Sequence, residues 1–254
     1  SSILSKKIAS GLKSLVLDVK VGNGSFNSTI EIARNLSNSL VSVAKGAGLK
    51  CEAILTDMNQ ILGKSAGHTL EMLECIKLIT NKNKNTRLEI ITNELIVSLL
   101  MMVQKISKED ALKKINDVLS NGFAAEKFEK MVYALGGPSN ILSSYENDLE
   151  LNTFRIEIFS EQKGWIKKIL TRDLGLILIE LGGGRKQVTD KINFAVGYDN
   201  VLSVGDKADE TTPLLTLYAN TKEEAENVRK KIQNCFTISD NEEKKLPEIY
   251  EKIN

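Results

Sequence analysis

Along the first sixty residues the hydrophobic positions change period twice. Ile3, Leu4 and Ile8 fall on one side of a short helix predicted over residues 1–10, which Gly11 closes. Leu12 to Val21 is a short run rich in Val and Leu that ends in Gly22-Asn23-Gly24, the pattern of a buried strand feeding a glycine loop. Ser28 or Thr29 caps the next helix, where Ile30, Ala33, Leu36, Leu40 and Val43 recur at helical spacing up to a stop at Gly46 to Gly48. Leu49 to Leu55 is a second strand. Strand, glycine loop, helix and strand make a βαβ unit, which requires the two strands to run parallel.

From Gly67 to about Leu135 the apolar stripes are helical: Leu70, Leu73, Ile76 and Leu78 with Ile79, then Leu95 to Val103, then Ala111 to Leu119. Gly136-Gly137-Pro138 breaks the run, and the polar stretch Ser139 to Leu149 is expected to be a linker. Beyond it the grain changes. Thr153 to Phe159 alternates as a strand does, and Gly164 to Leu170 is expected to pair with it. Leu174 to Leu181 precedes three glycines, and a final helix runs from Thr221 to about Ile232. The expected fold is α/β, a mostly parallel sheet with flanking helices, followed by a smaller C-terminal α+β domain from about residue 151.

Composition narrows the classes. A chain of 254 residues with 42% hydrophobic and 26% charged positions is an ordinary globular balance with room for a sizeable core. Lys plus Arg number 34 against 33 Asp plus Glu, so there is no basic excess to track a nucleic acid backbone. No apolar run approaches the roughly 20 residues that span a bilayer, and Ser1 to Ser10 lacks the apolar core of a signal peptide. Cys51, Cys75 and Cys235 are an odd count at patternless spacing, which favours reduced, mostly buried thiols in a cytoplasmic protein over a disulfide framework or zinc site. His68 is the only histidine, so no mechanism within this chain uses two. The start at Ser-Ser-Ile-Leu, without Met, suggests a piece of a longer protein.

Few positions carry chemistry by pattern alone. Ser2 and Lys6 lie four apart and project from one helical face, where a hydroxyl and an ammonium can together hold the carbonyl and ring-nitrogen edge of a heterocycle. Two solvated surface residues would show the same spacing. In Asp18-Val19-Lys20-Val21-Gly22-Asn23-Gly24-Ser25-Phe26 the glycines would let backbone amides approach an anion at a helix N-terminus, and a tight βα turn without a ligand would carry similar residues. Thr56-Asp57-Met58-Asn59-Gln60 follows the second strand at the edge where open α/β sheets bind ligands. Glu71 and Glu74 share a helix from which one could reach a cation held by carbonyls of the preceding loop; solvated carboxylates are the alternative. His68 reads as a packing or capping residue. Gly182-Gly183-Gly184-Arg185 reads first as a helix stop and second as an anion site.

Taken in order, Ser2-Ile3-Leu4-Ser5-Lys6-Lys7, Leu17 to Phe26, Thr56 to Gln60 with Leu62-Gly63, and Gly67-His68-Thr69-Leu70-Glu71 resemble the thymidine and pyrimidine nucleoside phosphorylase family. Gly122, Phe128, Gly183-Gly184-Arg185 and Asn193-Phe194-Ala195-Val196-Gly197 continue the resemblance to nearly the end of the chain. It implies phosphorolysis of thymidine, with inorganic phosphate as co-substrate, to thymine and 2-deoxyribose 1-phosphate. Lys6 would be the catalytic residue, Ser2 and Lys6 would hold the pyrimidine, and Phe26 would line its pocket. Carbonyls of Leu62 and Ser65 with the Glu74 carboxylate would serve a structural cation, for which potassium suits the oxygen-only set.

The resemblance further implies that residues 1–10 are the last helix of a small α-domain, 11–150 an α/β domain and 151–254 a C-terminal α+β domain. A homodimer is expected for the full-length protein, with no nucleic acid or membrane partner. The family's Lys-His-Ser-Thr-Gly-Gly phosphate loop and its pyrimidine-binding Arg are expected upstream of Ser1. Two other readings stand beside this one: a non-catalytic remnant, and a related phosphoribosyltransferase acting on a diphosphate donor.

Overall fold

The computed structural model describes residues 2–82, 84, 86–149, 151 and 154–254, with Ser2 described by its backbone alone. Ser1, Asn83, Asn85 and the Thr153 that heads an expected strand lie outside the described residues. In chain order the elements are α1 (Ser2–Ala9), β1 (Ser14–Val21), α2 (Ile30–Gly46), β2 (Lys50–Asp57), α3 (His68–Ile79), α4 (Arg87–Gln104), α5 (Lys108–Ser120), α6 (Phe123–Ala134) and α7 (Ile141–Asp148). They continue with β3 (Phe154–Ile158), β4 (Gly164–Ile169), α8 (Thr171–Glu180), β5 (Gly197–Asp199), β6 (Lys207–Ala208), β7 (Leu215–Ala219), α9 (Lys222–Asn234), β8 (Phe236–Ser239) and β9 (Ile249–Ile253). The chain folds into two compact units: residues 1–58, 85–118 and 247–254 form the first, 59–84 and 119–246 the second.

In the first unit the expected βαβ arrangement is present. β1 and β2 pair in parallel from Ser14 opposite Lys50 to Val21 opposite Asp57. The Thr29 hydroxyl caps α2 by accepting from the Ile32 amide at 3.3 Å, which satisfies one of the free donors of a helix start. The buried face of α2 is Ala33, Ser37, Val41 and Ala44, whereas Leu36 and Val43 are exposed. Small residues therefore face the sheet. They meet Val19, Val21, Cys51, Ala53 and Leu55, with Leu4 of α1 added from the side.

The mixed α/β class holds, but the parallel character is confined to the β1–β2 pair among the described strands. The third strand of that sheet is β9, which joins β2 antiparallel, Ala53 opposite Ile253. Its sequence, Ile249-Tyr250-Glu251-Lys252-Ile253, does not alternate, and its partner lies about two hundred positions away. The second unit holds two three-stranded sheets, ordered β3-β7-β5 and β6-β4-β8, with every pair antiparallel. The expected pairing of the segments around Phe154 and Gly164 therefore does not occur: β3 pairs with β7 and β4 with β6 and β8. Their core is one apolar cluster containing Ile158, Ile166, Ile169, Leu174, Leu215, Leu217, Val228 and Ile232.

The expected linker contains α7. Ile141 is buried and the Leu142 amide donates to the Glu129 carboxylate of α6 at 3.1 Å, so a partner distant in sequence makes up for weak helical periodicity. Of the three cysteines, Cys51 and Cys235 are buried and Cys75 is exposed; burial pushes the Cys235 thiol up to about 11. Among the described residues no single helix is long and apolar enough to cross a membrane.

Candidate active site

The first unit carries Ser2, Lys6 and Phe26. Leu4 is buried and seats α1, which leaves Lys6 exposed on the helix surface. The backbone of Ser2 lies one turn earlier in α1. Phe26 stands at the tip of the glycine loop and is 96% exposed.

That loop is built differently from an anion cradle. The Gly22 amide donates to the Asn27 carbonyl (2.9 Å), Gly24 to the Met58 carbonyl (2.9 Å) and Ser25 to the Gly22 carbonyl (3.0 Å). The Ser25 hydroxyl and the Asn27 side-chain amide both donate to the Lys20 carbonyl, at 2.8 and 3.1 Å. With these amides already bonded, the loop presents a side chain rather than a phosphate nest.

At its base, on neighbouring rungs of the parallel pair, the Lys20 ammonium sits 2.7 Å from Asp18 and donates to Thr56 at 3.0 Å. The Thr56 hydroxyl donates to Asp18 at 2.5 Å. Asp18 and Lys20 lie two apart on one strand and so share a face of the sheet. That opposite-charge alternation is the one signal in the sequence that would have announced the triad.

Behind the loop lies a cluster that the sequence did not reveal. Asp57 is fully buried at the end of β2. Its carboxylate is 3.1 Å from Arg87 Nη2 and accepts from the Tyr250 hydroxyl at 2.8 Å, while its amide donates to the Glu248 carbonyl at 3.0 Å. The partners come from α4 and from the strand β9, so no local motif links them.

In the second unit two of the residues expected at the cation site, Ser65 and Glu74, are in contact. The buried Glu74 carboxylate accepts from the Lys64 amide (2.9 Å), the Ser65 amide (3.0 Å) and, through a short hydrogen bond, the Ser65 hydroxyl. A Cβ on Gly63 would lie 2.3 Å from this carboxylate, so only glycine admits the turn. Glu71 does something else: it accepts from the Gly67 amide at 2.9 Å and caps α3, where a negative charge is favoured. Three donors occupy three of the roughly four acceptor positions of the Glu74 carboxylate. The one that remains is a carboxylate oxygen, a donor of the kind that suits a hard cation. Among the described residues no group of three His, Cys, Asp or Glu forms a metal cluster.

Two other motif segments meet in the same unit. The Ala66 amide donates to the Tyr198 carbonyl (3.0 Å), the Tyr198 amide to the Ala66 carbonyl (2.7 Å) and the Thr69 amide to the Phe194 carbonyl (3.1 Å). His68 packs edge-on against the Phe194 ring, with centroids 5.1 Å apart. A Cβ at Gly197 would lie 2.4 Å from the Ala66 carbonyl, which accounts for a glycine at this close backbone approach. His68 is thus a packing residue. Arg185 donates to the Asp190 carbonyl at 3.1 Å, and the Asp190 carboxylate accepts from the Lys186 and Gln187 amides, so the segment after the three glycines is a self-closed turn.

Residues 165–239 match the family model described as pyrimidine nucleoside phosphorylase C-terminal domain. Over all 254 residues the chain is 39% identical to a protein named thymidine phosphorylase from Agrobacterium fabrum, covering 58% of it. A second protein of that name, from Colwellia psychrerythraea, is 40% identical over 251 residues, which are 98% of this chain and 57% of the relative. Over all or nearly all of its length the chain is therefore similar to part of proteins named thymidine phosphorylase, and residues 165–239 resemble the C-terminal domain of pyrimidine nucleoside phosphorylases. It spans a little over half the length of these curated relatives.

Proposed function

We propose that the full-length protein catalyses the reversible phosphorolysis of thymidine, as a pentosyltransferase of pyrimidine salvage and catabolism. The carrying observation is about 40% identity to two proteins named thymidine phosphorylase over essentially all of this chain. A phosphate oxygen bonds to C1′ of the deoxyribose while the C1′–N1 bond breaks, and its electron pair leaves with the pyrimidine. The negative charge that builds on the departing base is where Lys6 acts: a fixed ammonium stabilises it, with the Ser2 hydroxyl as second donor and Phe26 against the ring face. Phosphate contacts, on this reading, come from segments upstream of Ser1. The domain limits at residues 10 and 150, a homodimer and a cytoplasmic location complete the proposal. They are supported by the resemblance and by the unpaired cysteines.

The experiment is an assay of the full-length natural protein for thymine release from thymidine. Release that requires inorganic phosphate and yields 2-deoxyribose 1-phosphate is the expected result. Turnover only with a diphosphorylated sugar would point to the phosphoribosyltransferase, and none with either donor to a non-catalytic remnant. For the cation, melting should rise in potassium relative to sodium, and Glu74→Ala should abolish the difference. Equal melting of the natural protein in the two salts removes the potassium site from the account.

A further inference from the structure

The buried cluster behind the glycine loop has a geometry that stability alone does not explain. Replacing a buried ion pair by apolar residues is often neutral or favourable, and here the Arg87 Nε and Nη1 atoms are buried without a hydrogen-bond partner. What such a cluster supplies is direction. Asp57 is held through its side chain by Arg87 and Tyr250 and through its amide by the Glu248 carbonyl. The next residue, Met58, donates its amide to the Val21 carbonyl at 2.7 Å and accepts from the Gly24 amide at 2.9 Å. Those two bonds grip the glycine loop at its start and its middle. Bonds inside the loop, Gly22 to Asn27 and Ser25 to Gly22, carry the constraint to the tip. Phe26 has almost no packing of its own, so its position follows from the backbone that carries it.

We propose that Asp57, Arg87 and Tyr250 are positioning residues that act through Met58 on the loop presenting Phe26 to the pyrimidine. The proposal rests on the reading of Phe26 as part of the base pocket. Phe26 touches the base before and during bond cleavage alike, so loosening it weakens ground-state and transition-state binding together. That raises KM with little change in kcat. A lesion that merely destabilised the fold would lower melting and the active fraction and leave KM alone.

The test uses Tyr250→Phe in the full-length natural protein, because it removes one hydroxyl and keeps the ring. Arg87→Lys is the companion variant, since it keeps the charge at the buried carboxylate. Hydrogen exchange at the Gly24 amide, which needs no activity, is expected to quicken by about tenfold in Tyr250→Phe as the loop opens locally more often. KM for thymidine is expected to rise about three- to tenfold with kcat within about twofold, and the rise should vanish in a Phe26→Ala background. Unchanged Gly24 protection overturns the proposal whatever the activity. A KM rise of equal size without Phe26 also overturns it, because the effect would then not pass through that residue. If the natural protein released no thymine, the functional reading would fail by itself, and the proposal would fail with it as a claim about a pyrimidine pocket.

Discussion

The first unit threads charged side chains through its interior, whereas the second buries an apolar core and keeps most of its ion pairs outside. In the first, Asp57 is fully buried and Arg87 nearly so, and Lys252 of β9 bridges the largely buried Glu52 and Glu94. Burial pushes Glu94 up, but hydrogen bonds from Lys252 and Lys108 outweigh it and hold the carboxyl below its usual range. In the second, the pairs Lys163–Glu210, Lys230–Glu161, Lys231–Glu180 and Arg229–Glu226 all sit on the surface, where such pairs contribute little. Apolar contact fixes how much surface is hidden; buried hydrogen-bonded charges also fix where particular atoms point. The unit that presents Lys6 and Phe26 is the one held by directional contacts.

The largest effect expected from this contrast is at Arg87. Arg87→Met leaves the buried Asp57 carboxylate without its cation and should lower stability by about 3–5 kcal/mol in denaturant melts. A loss below about 1 kcal/mol would show the cluster to be dispensable and erase the distinction between the units. Glu74 is the second unit's exception, and removing it strands the Lys64 and Ser65 amides, while the Ser65 hydroxyl still has the Leu70 carbonyl. Glu74→Ala should cost about 2–4 kcal/mol, given roughly 1–3 kcal/mol for each kind of unsatisfied buried group. Tyr198 tests the apolar core. It is fully buried, burial pushes its phenol above the ordinary range, and its neutral hydroxyl donates to the Leu174 carbonyl at 3.0 Å. Tyr198→Phe should therefore cost only about 1 kcal/mol, and a loss as large as that at Arg87 would contradict the comparison.

The smallest effect is at the surface turn after β6. Hydrogen bonds from the Thr211 hydroxyl and amide and from the Thr212 amide hold Asp209 down at about 2, below its ordinary 3.8. A carboxyl depressed in the folded state contributes stability that is present above pH 4 and is lost as pH falls toward 2. Amide shifts of Thr211 and Thr212 should stay constant from pH 7 to 4 and change between about 4 and 2. A midpoint near 4 would mean that the turn does not hold the carboxylate.

What could be read in the sequence was what local pattern encodes. The βαβ start, the Thr29 cap, the glycine stops and the helices near 70–80 and 222–234 all follow from periodicity and capping within a dozen residues. β9 and α7 were hidden for a physical reason: each is stabilised by a partner far along the chain, Ala53 to Thr56 for the strand and Glu129 for the helix. The same limit governs the site. Ordered motifs singled out Lys6, Phe26, Leu62, Ser65 and Glu74, and of these Ser65 and Glu74 meet in the structure. The Asp57–Arg87–Tyr250 cluster joins three segments that no spacing rule connects. The anion reading of the glycine loop failed to anticipate that Gly22, Gly24 and Ser25 spend their amides on backbone carbonyls.

The central claim is that Lys6 stabilises charge on the departing pyrimidine, and Lys6→Met in the full-length natural protein tests it most directly. Methionine keeps much of the apolar stem and removes the ammonium, and α1 stays seated through Leu4. Removing one donor to a developing anion typically costs about 10²–10³ in turnover, so kcat for thymidine phosphorolysis should fall by that factor. Ser2→Ala should lose less, since a neutral donor makes roughly half the bond of a charged one. Near-normal kcat in a folded Lys6→Met protein would contradict the account and return Lys6 to the solvated face of a short helix.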